Sequence, residues 1–398
     1  MRRPLAAYTV LDLTNVLAGP FCGHQLAHMG ARVIKVETPD GGDLARQLGA
    51  DQDLNARYMG VSFLAQNAGK ESIALDLKDA AGKAAFLALV ARADVVLENF
   101  RPGVMQRLGL GYERLKQANP DLIYCAISGF GQDGPLARAP AYDQIIQGMS
   151  GVMAITGTGD SGPLRAGYPV ADTVGGLTGA FAIAAALAAP KGTRGVFIDV
   201  SMLESTLATM GWAVSNWLVA GVQAQRIGNE NMTASPSGAF RAADGLVNIA
   251  ANKQEQFEAL MREIGREDLL ADPRFAKREA RLAHRHELNA LIEAQLVHKP
   301  CAHWVDVLVK RGVPAGEVWN LPQVLASPQI RDRGFIEHFA GVPGVGREVS
   351  VASAGYKLDG EAPRVGTPPP RLGEHTAKIL AELGLEAVPV KRKTNEGN

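Results

Sequence analysis

"YTVLDLTNVLAGPFCGHQLAHMGARVIKVE", residues Tyr8–Glu37, places a β-branched run at each end (YTVLDLT, Tyr8–Thr14; RVIKVE, Arg32–Glu37) around a helical segment that carries His24 and His28. Strand, helix, strand is the repeating unit of a parallel sheet, because parallel neighbours can be joined only by a long crossover. The unit recurs: SIALDL (Ser72–Leu77), DVVLENF (Asp94–Phe100) and LIYCAIS (Leu122–Ser128) read as further strands, with DAAGKAAFLALVARA as a helix between two of them. This alternation predicts a doubly wound α/β sheet. A last strand, VFIDVSM (Val196–Met202), follows a small-residue apolar stretch at Val174–Ala189, and a further apolar helix runs to Ala220. With 16 residues, Val174–Ala189 is shorter than the roughly 20 that span a bilayer and reads as a helix buried on all sides.

Past residue 222 the chain changes character, so the expected domains are 1–222, a large α/β domain, and 223–330, a smaller α+β domain. The boundary is the polar, turn-rich run GVQAQRIGNENMTASPSGAF; a strand, GLVNIAA, and charged amphipathic helices near Gln254–Ile264, Arg285–Leu296 and Cys301–Lys310 follow it. A helix signal returns at RLGEHTAKILAELG (Arg371–Gly384), and the terminal VKRKTNEGN reads as a frayed tail.

Composition narrows the function. In 398 residues, 41 Lys and Arg balance 41 Asp and Glu, which gives no reason to expect nucleic acid or an anionic membrane as partner. Three widely spaced cysteines, Cys22, Cys125 and Cys301, form neither a disulfide framework nor a metal knuckle, and a reducing, cytoplasmic setting is expected. The N-terminus reaches Asp12 before an apolar core of signal-peptide length builds up, and reads as mature sequence.

Several motifs lack the context they require. A G-x-G-x-x-G match at Gly157, Gly159 and Gly162 is followed by PLRAGYP, which cannot open a helix, so it reads as a surface turn. His24 and His28 are four apart but have no third metal ligand within reach by sequence; no metal is expected. The run ENFRPGVMQRLG (Glu98–Gly109) ends a strand where open α/β sheets hold ligands, and its Arg101 and Arg107 forks suit phosphate oxygens, although a solvated turn explains it equally well.

Asp172, in GYPVADTVGG, is either the N-cap of the helix behind it or a nucleophile. Gly175 and Gly176 would let a ligand approach the backbone, and an ordinary aspartate is ionised at neutral pH without help.

Together these runs, with NAGKESIALDLK (Asn67–Lys78), TRGVFIDVSMLES and LGEHTAKILAELGL, resemble the class III coenzyme A transferases, the CaiB/BaiF group. The resemblance implies a Rossmann-like large domain completed by the C-terminal segment 331–398, an inserted small domain, and two ring-shaped chains interlocked as a homodimer. It implies Asp172 as nucleophile, passing through an aspartyl anhydride and an aspartyl-CoA thioester. Substrates would be an acyl-CoA and a small carboxylic acid, with no tightly bound cofactor. Backbone N–H groups near Gly175 and in the loop Gly228–Gly238 would serve the oxyanions.

Coenzyme A contacts implied by position are Leu17, Ala18, Thr38, Leu75, Asp76, Leu77, Lys78, Asn99, Phe100, Arg101 and Arg107, with Arg138, Tyr142 and Asp143 near the nucleophile. Thr38 stands where the family has an arginine, and Pro140 where formyl-CoA transferase has a basic residue, for which Arg138 is a possible substitute; GNENMTASPSG replaces that enzyme's glycine-rich loop, which argues against formyl or oxalyl substrates. That polar loop and nearby arginines could hold a second carboxylate, hence a dicarboxylic acid. The racemase of the same family needs Gly-His-Asp where this chain reads RAPAYDQ, so α-proton transfer is the alternative, with non-catalytic acyl-CoA binding as another.

Overall fold

The structure is a computed structural model and describes residues 2–386; the terminal run expected to fray, Val390–Asn398, lies outside the described residues. Six strands form one parallel sheet: β1 (Thr9–Asp12), β2 (Arg32–Glu37), β3 (Lys70–Ala74), β4 (Val95–Glu98), β5 (Ile123–Ser128) and β6 (Val196–Ser201). Their order is β3-β2-β1-β4-β5-β6, the Rossmann order, in which the winding reverses between β1 and β4. Val10 of β1 lies between Val33 of β2 and Val95 of β4.

Side chains alternate across the sheet and build one core on each face. Val10, Val33, Val95, Leu97 and Ile123 pack on α1 (Ala18–His28) and a long helix at Val170–Leu187. Leu11, Ile34, Val96 and Tyr124 pack on the Ala80–Val90 helix and on Ile379 and Leu380 of the Thr376–Glu382 helix.

The chain divides into two compact units. The first comprises the described residues of Met1–Met153, Arg165–Ala224 and Pro328–Asn398; the second comprises Ala154–Leu164 and Gln225–Ser327. In the second, an antiparallel sheet of β7 (Ser237–Arg241), β8 (Leu246–Ala250) and β9 (Ala315–Glu317) closes a separate core around Phe240, Val247, Phe257, Leu288 and Trp304.

The Val170–Leu187 helix departs from the expectation of burial on all sides. It has 18 residues with mean hydropathy 1.6, so by length and composition it could cross a membrane, yet one side of it is core. Ala171, Gly175, Gly176, Gly179, Ala180, Ile183 and Leu187 face inward, whereas Leu177 and Phe181 are 48% and 77% exposed. Beyond it the apolar Gly211–Ala220 helix buries none of its residues, leaving Trp212 84% exposed and Val219 87% exposed.

Candidate active site

Because all six strands run in one direction, their carboxyl ends share one edge, and every residue expected to contact coenzyme A follows one of those ends. Leu17 and Ala18 follow β1, Thr38 follows β2, Leu75–Lys78 follow β3, Asn99–Arg107 follow β4, and Arg138, Tyr142 and Asp143 follow β5. Thr38, Asp76, Lys78, Arg101, Arg107, Arg138 and Tyr142 are exposed, whereas Leu75, Ala18 and Asp143 are buried. Asn99 spans the winding reversal: its Oδ1 accepts from Asn15 N at 2.8 Å and its Nδ2 donates to Asn15 O at 2.9 Å. Its side chain therefore locks the β1 and β4 loops together.

Beneath this edge lies a charge network that a reading of local sequence missed. Lys70 donates to Asp12 at 2.8 Å, Lys35 pairs with Asp43 at 2.9 Å, and Arg46 grips Glu37 with 2.7 and 2.8 Å bonds. All six side chains are at most 2% exposed. Burial pushes Asp12 up, but the Lys70 and Lys35 ammoniums outweigh it and hold the carboxyl below its usual range. The network shapes the β1 loop: Lys35 Nζ donates to Thr14 O at 2.7 Å, and Asp43 Oδ1 accepts from Val16 N at 2.9 Å. Val16 is held at φ 68°, a left-handed conformation that a β-branched residue adopts only under constraint.

Asp172 does not cap its helix. The helix begins at Val170, its N-cap is Pro169, and Asp172 stands in the first turn. Asp143 does the capping from a neighbouring helix (Asp143–Met149): its Oδ1 accepts from Ala171 N at 2.9 Å and Asp172 N at 3.5 Å. Gln147, fully buried, then fixes the approach, with Nε2 donating to Asp143 Oδ2 at 2.7 Å and Tyr168 O at 3.3 Å while Oε1 accepts from Ala166 N at 2.9 Å. Among the described residues, no side chain or backbone donor reaches the Asp172 carboxylate.

The electrostatics follow from that geometry. Burial, and then the nearby Asp143 carboxylate, push Asp172 up from its ordinary 3.8 to about 7. It is thus not the ordinary, fully ionised aspartate expected; its anion is more basic and correspondingly a stronger nucleophile.

The glycines behind Asp172 serve packing, contrary to the expectation of ligand approach. A Cβ on Gly176 would lie 2.4 Å from Ala18 O, one on Gly175 would lie 2.8 Å from Met202 Cγ, and one on Gly179 would lie 3.0 Å from Ile127 Cδ1. They let α1 and the Met202–Thr209 helix close against Val170–Leu187. Nor can Gly175 N–H stabilise an oxyanion, because it lies inside the helix, where each N–H bonds the carbonyl four residues back.

Other candidates resolve as follows. The G-x-G-x-x-G run is a surface turn closed by Thr158 and Ser161, with no helix behind it. His24 and His28 pack with ring centroids 4.4 Å apart, and among the described residues no group of three metal-ligating side chains exists. In the second unit, the arginines around the polar loop are engaged with its own chain. Arg226 donates to Thr158 O, Arg278 to Thr233 O, Arg281 to Ser235 O, and Arg285 to Glu230 and Asn231 O. They hold the loop's shape and do not present the free fork expected for a second carboxylate.

Comparison with known proteins assigns the chain to a family. The model of the family described as CoA-transferase family III matches residues 5–376. An acetyl-CoA:oxalate CoA-transferase of Acetobacter aceti is 41% identical over 96% of this chain and 96% of its own. A succinate–glutarate CoA-transferase of Agrobacterium fabrum is 38% identical, again covering 96% of each. The crystal structure of a CaiB/BaiF family protein from Brucella suis superposes with a TM-score of 0.83 at 34% identity, covering 96% of this chain and all of that one.

Proposed function

As a member of CoA-transferase family III the chain is a coenzyme A transferase, and we propose that it moves coenzyme A from an acyl-CoA to a short dicarboxylic acid with Asp172 as nucleophile. The observation that carries the assignment is the Asp172 carboxylate itself, set in the first turn of a helix, relieved of capping by Asp143, and raised to about 7.

The chemistry proceeds by four exchanges. An Asp172 oxygen attacks the donor thioester carbonyl and expels coenzyme A thiolate, leaving a mixed anhydride. The thiolate attacks the aspartyl carbonyl of that anhydride, releases the donor as a carboxylate and forms an aspartyl-CoA thioester. The acceptor carboxylate attacks this thioester, again expelling the thiolate and forming a second anhydride. The thiolate takes the acceptor acyl group and frees the Asp172 carboxylate. One thioester replaces another, so no net bond energy is needed; anhydrides hydrolyse readily, so water must be excluded while they last.

The dicarboxylic acceptor is supported by the printed substrates of relatives, which include oxalate, glutarate and mesaconate; the oxalate relative, 41% identical, runs against the expectation that the missing glycine-rich loop disfavours oxalyl substrates. The nucleotide end of coenzyme A would lie on the carboxyl edge of the sheet, where Arg101 and Arg107 have no carboxylate partners among the described residues. A homodimer is supported by Trp212, Trp217 and Leu218, which are at least 60% exposed on an apolar helix. Three free, buried cysteines support a reducing compartment.

Incubation with acetyl-CoA or succinyl-CoA, a hydroxylamine quench and peptide mass analysis should find the hydroxamate on Asp172. An unmodified Asp172 during turnover would overturn the mechanism. A panel of oxalate, glutarate, mesaconate and monocarboxylic acids tests the acceptor class.

A further inference from the structure

Two confluent cavities lie in the C-terminal part of the first unit, built only from residues between Ile330 and Arg364. The larger, about 440 Å³, is lined by Arg333, Lys357 and Arg364 together with Asp332 and Glu361. The smaller, about 180 Å³, shares Arg333 and Lys357 and continues between Phe335, Tyr356 and Ile330. Asp332 is paired with Arg331 at 3.1 Å. None of Arg333, Lys357 and Arg364 has a carboxylate partner among the described residues, although all three line one cavity.

Three cations against two carboxylates leave this cavity net positive, which favours an anion from solution. Two of the three are arginines, whose planar forks match phosphate oxygens in a way that a point charge does not. The adjoining slot offers what a phosphate alone would not use: two half-buried aromatic side chains, with burial pushing the Tyr356 hydroxyl up. A flat ring inserted there would stack on aromatic faces while its charged end met the arginines.

We propose that this groove binds a phosphate-bearing ligand with a flat aromatic ring, of the adenine nucleotide class, away from Asp172. That chemistry is shared by free nucleotides and by the nucleotide end of a coenzyme A ester. The site is independent of the transfer mechanism, since none of its residues belongs to the carboxyl edge of the parallel sheet.

The test is calorimetric titration of the full chain with ADP, 3′,5′-ADP, coenzyme A and inorganic phosphate. ADP or 3′,5′-ADP should bind saturably and at least about tenfold more tightly than phosphate. Arg333→Ala/Arg364→Ala should weaken that binding about tenfold or more, Arg364→Lys should weaken it less, and Tyr356→Ala should bring nucleotide affinity near that of phosphate. The KM and kcat of coenzyme A transfer should be unchanged by the paired arginine variant. Stronger binding of 3′,5′-ADP and coenzyme A identifies the ester's nucleotide end as the ligand; stronger binding of ADP identifies a free nucleotide. Nucleotide binding that survives the paired variant but is lost in Arg101→Ala/Arg107→Ala places the ligand on the sheet edge and overturns the proposal, as does absence of saturable nucleotide binding.

Discussion

Replacing Asp172 by asparagine separates the charge of that side chain from its shape, and its effect on stability has a definite sign. Folding raises the carboxyl from 3.8 to about 7, so the folded chain holds the proton more tightly than the unfolded one. The stability linked to this group is fully present below the unfolded value and is lost as pH rises through about 7. Spread over that interval, the loss has an upper limit of ~4 kcal/mol, and solvent access to a half-buried side chain reduces it to roughly 2 kcal/mol. Asparagine carries no such charge, and the cap survives because Asp143 supplies it. The variant should therefore gain on wild type with rising pH, the gap widening by roughly 1 to 2 kcal/mol between about pH 5 and about pH 8. Urea titrations of both proteins at the two pH values measure it, alongside a transfer assay in which the variant is inactive throughout. A gap that stays constant or narrows would refute the placement of Asp172 in a desolvated pocket beside Asp143. In the wild type, transfer limited by attack of the anion should rise with pH through about 7 and then level off.

Three further perturbations probe the frame around the site. Gly176→Ala forces a methyl to within 2.4 Å of Ala18 O and should cost roughly 3 kcal/mol by prying α1 from its neighbour, whereas Gly159→Ala meets open space and should be nearly neutral; equal melting shifts would refute this. Lys70→Met strands Asp12 unpaired in the core and should destabilise by about 3 to 5 kcal/mol, while Asp12→Asn/Lys70→Met should recover much of that loss, as denaturant midpoints will show. Burial pushes His24 down and His28 from 6.5 to about 4, so the unfolded chain binds protons first and stability is lost as pH falls across that interval. His24→Leu/His28→Leu should flatten that acid loss, and an unchanged acid midpoint would show that the pair plays no part in it.

The sheet was legible because its signal is local. Runs such as VVLE and IYCAIS are β-branched or apolar up to their last residue, as strands covered on both faces must be, and turn residues punctuate them. The charges inside those strands were not legible. Lys35 and Lys70 look like solvated positions until the fold brings them to Asp43 and Asp12, and Asp12 and Lys70 are 58 positions apart in the chain. The partners, rather than the residues, decide whether such a charge is surface or foundation.

Asp172 shows the same limit more sharply, since every local cue to its role pointed somewhere else. An aspartate ahead of an apolar stretch suggests a cap, yet Pro169 starts the helix earlier and the capping acceptor comes from Asp143. A Gly-Gly pair suggests room for a ligand, yet that room is filled by Ala18 and Met202. Both corrections are compatible with the proposed role of Asp172. A carboxylate that capped its own helix would be engaged by backbone N–H groups, held at low pKa and poorly nucleophilic. With Asp143 taking those N–H groups and Gln147 anchoring Asp143, the Asp172 carboxylate keeps its lone pairs free, as the proposed attack on a thioester carbon requires. Packing of α1 at Gly176 fixes the helix that carries it. Gln147→Leu is the sharpest probe of that division of labour: it leaves Asp172 untouched but removes the anchor of its cap. It should lower kcat by about tenfold or more with little change in KM for the acyl-CoA, and an unaltered kcat would show that Asp172 needs no such support.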